Sequence, residues 1–297
     1  MKQEKVKISV ITAFYNGNKY MKDYWSCIGQ ACEVSDCEIE VLLVNDSPGV
    51  EILLNEKQYK NLNVKVISNA TNMGIHQSRI YGLEEAQGEF VLILDQDDRI
   101  EKDFFDCQLD AIKDADVSVA NGYDEFSFRK GRLYENRFSG ELAIRERMHL
   151  RVRNMIISPG QCLIRKSAIP QEWKECVLKN NGVDDALLWF LMFEKKKKFV
   201  YNHTVLFTHC YTGENISGTI EKMMAPHDEL VECMLRLKNY SKKKAQLYRK
   251  TVHYKFAIKK GKRALLTESV KHPVLFFDNL MYKLCFRGIT ANRENLQ

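Results

Sequence analysis

Three carboxylates, Asp95, Asp97 and Asp98, follow directly on an apolar run from Phe90 to Leu94. Acids bunched this closely repel one another unless a cation or a bound ligand lies between them. The plain alternative is a solvated turn after a buried strand. Two further acidic positions stand out. Asp46 lies in Asn45-Asp46-Ser47-Pro48-Gly49, a dense cluster of turn formers in which an Asx-turn would use its side chain. Asp184 and Asp185 precede the apolar stretch Ala186 to Phe193, where a helix dipole would favour acids in the first turn.

The elements that must hold these acids are legible from their patterning. Ile8 to Thr12, Glu38 to Val44, Val64 to Ser68 and Phe90 to Leu94 read as strands, the first, second and fourth apolar enough to be buried on both faces. Lys19 to Cys32 and Ile75 to Gln87 read as helices, the second stopped by Gly88. Alternation of strand and helix at this spacing predicts an α/β fold with a doubly wound, mostly parallel sheet and helices on both faces. Ligands of such sheets bind at the carboxyl ends of the strands. Three strand ends here are polar and turn-forming, at 12–16, 45–47 and 95–98, which points to a nucleotide-sized ligand. Further along, Ile100-Glu101 reads as a helix start and Val117 to Tyr123 as a strand. Phe126 to Met148 reads as a charged surface excursion, and Asn154 to Ile164 as strand-like around Ser158-Pro159-Gly160.

The 297 residues carry a net charge of +6, unevenly spread. Residues 236–290 hold fifteen Lys and Arg against Glu268 and Asp278, so this tail is strongly basic and the rest is net acidic. The nine cysteines include no CxxC pair and read as reduced, partly buried thiols of a cytosolic protein. The amino-terminal stretch lacks a signal-peptide layout and no run has the length of a membrane span. A cytoplasmic location follows as the expectation, with peripheral attachment to the inner face of the cell membrane through the tail.

VITAFYNGNKYM, EVLLVNDSPGV, NMGIHQSRIYGLEEAQGEFVLILDQDD and GVDDALLW, in that order and at that spacing, resemble glycosyltransferase family 2 enzymes of the GT-A fold. The resemblance covers roughly residues 6–217. It implies an inverting glycosyltransferase that moves a sugar from a nucleotide-diphosphate sugar, a UDP-sugar foremost, to a hydroxyl acceptor. The acceptor would be a glycan or lipid-linked glycan of a bacterial surface polysaccharide. The domain would span 1–218, with nucleotide binding in 1–100 and acceptor binding in 101–218, followed by a helical basic extension over 219–297. Thr12, Ala13 and Phe14 (or its neighbour Tyr15, as a stacking ring) would lie along the nucleotide, and Asp46 would bond the base. Asn72, Arg79, Asp95 and Gln96 would complete the donor pocket. Asp97, with Asp95 as helper, would hold Mn²⁺ or Mg²⁺, while Asp98 braces the loop. Asp185 stands where the family places its general base. Asp184 takes the place of the usual glutamate before it. His209 and Ser217 fall in the family's closing loop, and Gly160 near the acceptor floor.

Two other functions fit parts of the pattern. A sugar-phosphate nucleotidylyltransferase would need a glycine-rich basic phosphate loop after the first strand, and Ala13 to Tyr20 is not one. A catalytically inactive nucleotide-sugar-binding module would keep the fold without the chemistry. In the tail, Leu230, Met234 and Leu237 share one helical face and Tyr248, Val252 and Phe256 another, with lysines opposite. Such helices suit an anionic membrane surface. A solvated bundle or a homo-oligomer contact is the competing expectation. No nucleic-acid module is recognisable, so no nucleic acid partner is expected.

Overall fold

The structure is a computed structural model and describes residues 7–54, 57, 59, 61–126, 129–213 and 220–285. Strand β1 (Lys7–Phe14), helix α1 (Asn18–Val34), strand β2 (Glu38–Asn45) and strand β3 (Leu62–Ser68) open the chain. Helix α2 (Ile75–Glu85) then returns it to strand β4 (Phe90–Ile93). β1 pairs in parallel with β2 on one side and β4 on the other, and β2 pairs in parallel with β3. The strand order therefore reverses between β1 and β4, and the crevice at their carboxyl ends is the expected ligand site of such a sheet.

Every position of β4 is buried, as an unbroken apolar run requires; β2 buries seven of eight, Glu40 among them, its carboxylate accepting from the Ser9 hydroxyl and the Gly88 N–H. Complete burial of side chains such as Ile8, Val10, Val41, Leu43 and Leu92 contributes about 1.5–3 kcal/mol apiece. β3 is an edge strand and leaves Val64 and Val66 exposed. α2 lies close on the sheet because Gly82 faces Ile11 and Val44, where a Cβ would come within 2.4 Å of the Ile11 side chain.

The second half is mixed. It comprises β5 (Arg99–Ile100), α3 (Phe104–Ile112), β6 (Val117–Phe126), β7 (Arg129–Arg132), α4 (Arg137–Ala143) and α5 (Glu146–Arg151). β8 (Cys162–Arg165), α6 (Gln171–Glu175), α7 (Asp184–Glu194) and β9 (Phe199–Cys210) follow. Among the described residues the sheet runs β3-β2-β1-β4-β8-β6-β9-β5, with β7 paired to β6. β8 joins the two halves, antiparallel to both β4 and β6. Four helices close the described chain: α8 (Ile220–Arg236), α9 (Lys242–Ile258), α10 (Lys262–Lys271) and α11 (Pro273–Cys285).

Several expectations change here. Ile100 belongs to a two-residue strand against β9, and the next helix begins only at Phe104. The stretch expected as a surface excursion contains Leu133 and Tyr134, both fully buried, and α4, which Asn136 and Ser139 start with a reciprocal capping box. The strand-like reading of 154–164 reduces to the short β8. Leu230, Met234, Tyr248 and Val252 lie in the same core as the sheet, so α8 and α9 complete the domain and their apolar faces are not offered to a membrane. The cysteines are not all thiols: Cys176, just after α6, is disulfide-bonded to Cys233 of α8, with Cα atoms 6.3 Å apart. The 57-residue separation of that pair leaves no mark in local cysteine spacing. Cys27, Cys32, Cys37, Cys107, Cys162 and Cys210 remain thiols.

Candidate active site

The carboxyl ends of β1, β2 and β4 are tied together by side chains from all three. Thr12 is fully buried and its hydroxyl donates to the Leu94 carbonyl (2.8 Å), with the Tyr24 hydroxyl 2.9 Å away. It fixes β1 to β4 and its side chain is not available to a nucleotide. Phe14 is likewise fully buried, so it cannot stack on a base. The exposed ring at this edge is Tyr15, 54% accessible, and Ala13 is half-buried beside it. Alternation along the strand decides this: residues 12 and 14 face the core together. Gln96 holds Tyr15 by its backbone, accepting from its N–H (3.0 Å) and donating to its carbonyl (3.1 Å).

Asp46 makes no Asx-turn. Its carboxylate reaches across to the loop after β3, where Oδ1 accepts from Asn69 Nδ2 (2.8 Å) and the Met73 N–H (2.7 Å). Oδ2 accepts from the Gly74 N–H at 2.9 Å. Gly74 has φ of 86°, a left-handed conformation suited to glycine, and so delivers that N–H. The Asx-type turn belongs to Asn45 instead, whose Oδ1 accepts from the Ser47 N–H at 3.0 Å. A carboxylate has about four lone-pair sites, so Oδ2 keeps capacity for one further donor. Asn72 is exposed at the entry to α2, its side chain accepting from the Gly74 N–H at 3.1 Å.

Arg79 is the junction of the site. It is only 3% accessible, and its guanidinium donates to Asp95 Oδ1 from one nitrogen and to Asp184 Oδ2 (2.7 Å) from another. Both arms of its fork are committed to carboxylates, so Arg79 stands behind the expected donor pocket and holds two of its acids. Burial alone would discourage its charge, but Asp184 and Asp95 outweigh that and raise its pKa. For Asp184, burial is outweighed by Arg79 and His76, which hold the carboxyl below the ordinary range. Asp184 is thus a buried anion in an ion pair. Trp173 supports it, donating from its indole to the Asp184 carbonyl at 2.8 Å.

Asp185 differs from its neighbour by one position on α7 and by everything that matters chemically. It is partly accessible and accepts from Asn154 Nδ2 at 2.7 Å. Burial, then the adjacent Asp184, push its carboxyl up to about 7, with Arg79 pulling the other way. Such a value suits a general base working near neutral pH. Asn154 is a contact that sequence reading missed, since nothing local connects it to residue 185.

At the end of β4, burial followed by Asp98 and Asp95 pushes Asp97 up to about 7. Asp98 is buried, and its Oδ1 accepts from the Cys210 N–H (3.1 Å) and meets His209 Nδ1 (2.9 Å). This bears out the bracing role expected of Asp98 and places His209 beside the acid cluster. Asp98 Oδ2 is buried without a hydrogen-bond partner among the described residues. The donor set is all oxygen and overloaded with negative charge, which suits a hard divalent cation. Among the described residues no three His, Cys, Asp or Glu groups converge as a complete ligand set. Gly160 packs on Phe207 and Leu94, where a Cβ would come within 2.7 Å of the Phe207 ring, so its lack of a side chain serves the core. Ser217 lies outside the described residues.

Residues 9–173, more than half of the chain, match the family model for glycosyl transferase family 2. A poly(ribitol-phosphate) beta-N-acetylglucosaminyltransferase, TarS, from Staphylococcus aureus is 36% identical over 100 residues, 33% of this chain and 17% of that protein. An uncharacterized glycosyltransferase of Haemophilus influenzae is 31% identical over 128 residues, 42% of this chain and 49% of its own length. The chain thus spans half or less of these relatives. The crystal structure of S. aureus TarS 1-349 in complex with UDP-GlcNAc superposes with a TM-score of 0.62 at 20% identity, covering 84% of this chain and 73% of that one. The corresponding complex with UDP gives 0.60 at 20% identity, over 85% of this chain and 72% of that one. At such identity the likeness shows the fold, a GT-A-like α/β arrangement. On the match of the family model, the chain belongs to glycosyl transferase family 2.

Proposed function

We propose that this protein is an inverting glycosyltransferase that takes a UDP-sugar and glycosylates a hydroxyl of a bacterial surface glycan. The observation that carries this reading is the Asp95–Arg79–Asp184 bridge. It sets the partly accessible Asp185 one residue from Asp184, which Arg79 ties to Asp95 at the end of β4, and so supports a base and a donor site in one cleft. The relative named as a beta-N-acetylglucosaminyltransferase and the structural neighbours in complex with UDP and UDP-GlcNAc support the choice of donor.

In this reading the uracil stacks on Tyr15, and Asp46 Oδ2 accepts its N–H. Asp185 accepts the proton of the acceptor hydroxyl as that oxygen attacks the anomeric carbon. The diphosphate leaves from the opposite face, which inverts the configuration. Asp97, assisted by Asp95, would hold Mn²⁺ or Mg²⁺. The ion would supply positive charge against that developing on the leaving diphosphate. Arg79 keeps Asp95 and Asp184 in place and makes no contact with substrate.

The direct test is nucleotide release from a panel of UDP-sugars with and without Mn²⁺, using the wild type and Asp97→Asn. Release that depends on the metal and is lost in the variant is expected. Absence of metal-dependent release with every common donor sinks the proposal. The two neighbouring rings give a second test. Tyr15→Ala should weaken UDP binding about tenfold or more, the loss of one base stack, and leave thermal stability unchanged. Phe14→Ala should instead destabilise the fold by about 3–5 kcal/mol. Calorimetric titration with UDP and thermal melts of both variants separate the two roles. Unchanged UDP affinity in Tyr15→Ala removes the stacking assignment.

A further inference from the structure

We propose that α10 and α11 form a docking surface for an anionic lipid bilayer. α11 is fastened to the body along one side only. Leu275, Asp278 and Tyr282, at helical spacing, are buried. Asp278 accepts from Arg147 (2.7 Å) and Arg151 (3.1 Å) of α5. The opposite side is apolar and faces outward: Val274, Phe276, Phe277, Leu280, Met281 and Leu284 are all exposed, Phe277 at 57%. At 100° per residue these six cover roughly 160° of the circumference, centred almost opposite the anchoring stripe. A helix that folds only to complete a core buries its apolar side and shows its polar one. α11 buries Leu275, Asp278 and Tyr282 and shows its broader apolar side.

α10 adds to the same surface. It has no buried residue, and Leu266 and Val270, one turn apart, are 70% and 75% exposed. Lys260, Lys262 and Arg263 are exposed at its start. From Lys259 to Lys283 there are six basic residues against Glu268 and Asp278. Asp278 is already consumed by the two arginines of α5, and Glu268 pairs with Lys271 at 2.9 Å. An apolar face set among lysines and arginines matches the acyl boundary and phosphate headgroups of an anionic bilayer. A second copy of this chain matches it less well, because two-fold pairing would set each basic margin against its twin. Among the described residues no helix is long and apolar enough to cross a membrane, so the helices would lie on the surface.

The test is co-sedimentation of the full chain with vesicles of phosphatidylglycerol and phosphatidylcholine in equal parts, against vesicles of phosphatidylcholine alone, at low and high salt. The wild type should bind the anionic vesicles and release at high salt. Phe277→Ser/Leu280→Ser/Met281→Ser should lower partitioning by about tenfold or more, and Lys260→Glu/Lys262→Glu/Arg263→Glu should do the same. All six side chains are exposed, so melting temperatures should match the wild type and show that both variants fold. Equal binding to neutral and anionic vesicles, or a serine variant that binds like the wild type, overturns the proposal. So does a wild type that ignores vesicles and dimerises through this face, shown by a serine variant that is monomeric in sedimentation velocity. Partitioning is read without any sugar, so its outcome is independent of the transferase reading.

Discussion

Asp185→Asn is expected to lower the sugar-transfer rate by about a thousandfold, the usual scale for removing a positioned general base, while leaving donor affinity within about twofold. The amide is nearly isosteric and still offers an oxygen to Asn154 Nδ2, which bonds the wild-type carboxylate at 2.7 Å. It cannot accept a proton. The pH profile sharpens the test. A base raised to about 7 is largely protonated at pH 6, so wild-type turnover should climb about tenfold per pH unit up to that point and then level. Asp97 is also raised to about 7, and a bound metal must displace its proton. Measured at saturating metal, the ascending limb therefore belongs to the base, and in Asp185→Asn it should vanish. A variant with wild-type turnover, or one that keeps the same limb, removes Asp185 from the role. Steady-state kinetics from pH 5.5 to 8.5, with calorimetry of UDP binding alongside, decides it.

The second large effect is on stability. Arg79→Met should cost about 3–5 kcal/mol, because the thioether fills the space of the stem and leaves two carboxylates without their counterion. Desolvation makes the unpaired charges expensive; in the wild type Arg79 outweighs it at Asp184 and offsets part of it at Asp95, whose carboxyl burial still raises. The loss should depend on pH in a defined direction. In the wild type Asp184 is held below the ordinary carboxylate range, so its stabilising contribution is present above the unfolded value and disappears as pH falls through the lower folded one. Without Arg79, burial raises the same group, and the variant loses stability as pH rises. The gap between the two proteins should be widest at neutral pH and narrow towards pH 4. Urea melts at both ends of that range measure it, and a gap that is flat with pH rejects the ion-pair account. Arg79→Lys should fall in between, since one ammonium cannot span two carboxylates as the guanidinium fork does.

These two residues also mark where sequence reading succeeds and stops. Asp185 was legible because its signal is local: an acid pair, a helix start and an apolar stretch are adjacent in the chain. The parallel strands were legible for the same reason, since burial on both faces writes a mostly apolar run into β1, β2 and β4. Arg79 could be noticed but not understood, because Asp184 lies 105 residues away. Phe14 and Tyr15 are both aromatic, and only the register of β1 against β2 and β4 buries one and exposes the other. Asp46 was recognised as important, yet its partners Met73 and Gly74 belong to another loop. The tail shows the limit most clearly. Periodicity identified apolar faces on α8 and α9 correctly, but a hydrophobic stripe does not say what covers it. Packing against each other and against α5 and α7 covers those two, while α11 is fastened by the ion pairs of Asp278 to Arg147 and Arg151 and left with its apolar side outward. Local patterning thus determined the elements, the family and the acids at the strand ends. Only the tertiary structure decided which acid is paired, which is left partly accessible with a raised pKa, and which apolar face stays exposed among the described residues, because each depends on groups brought together from distant parts of the chain.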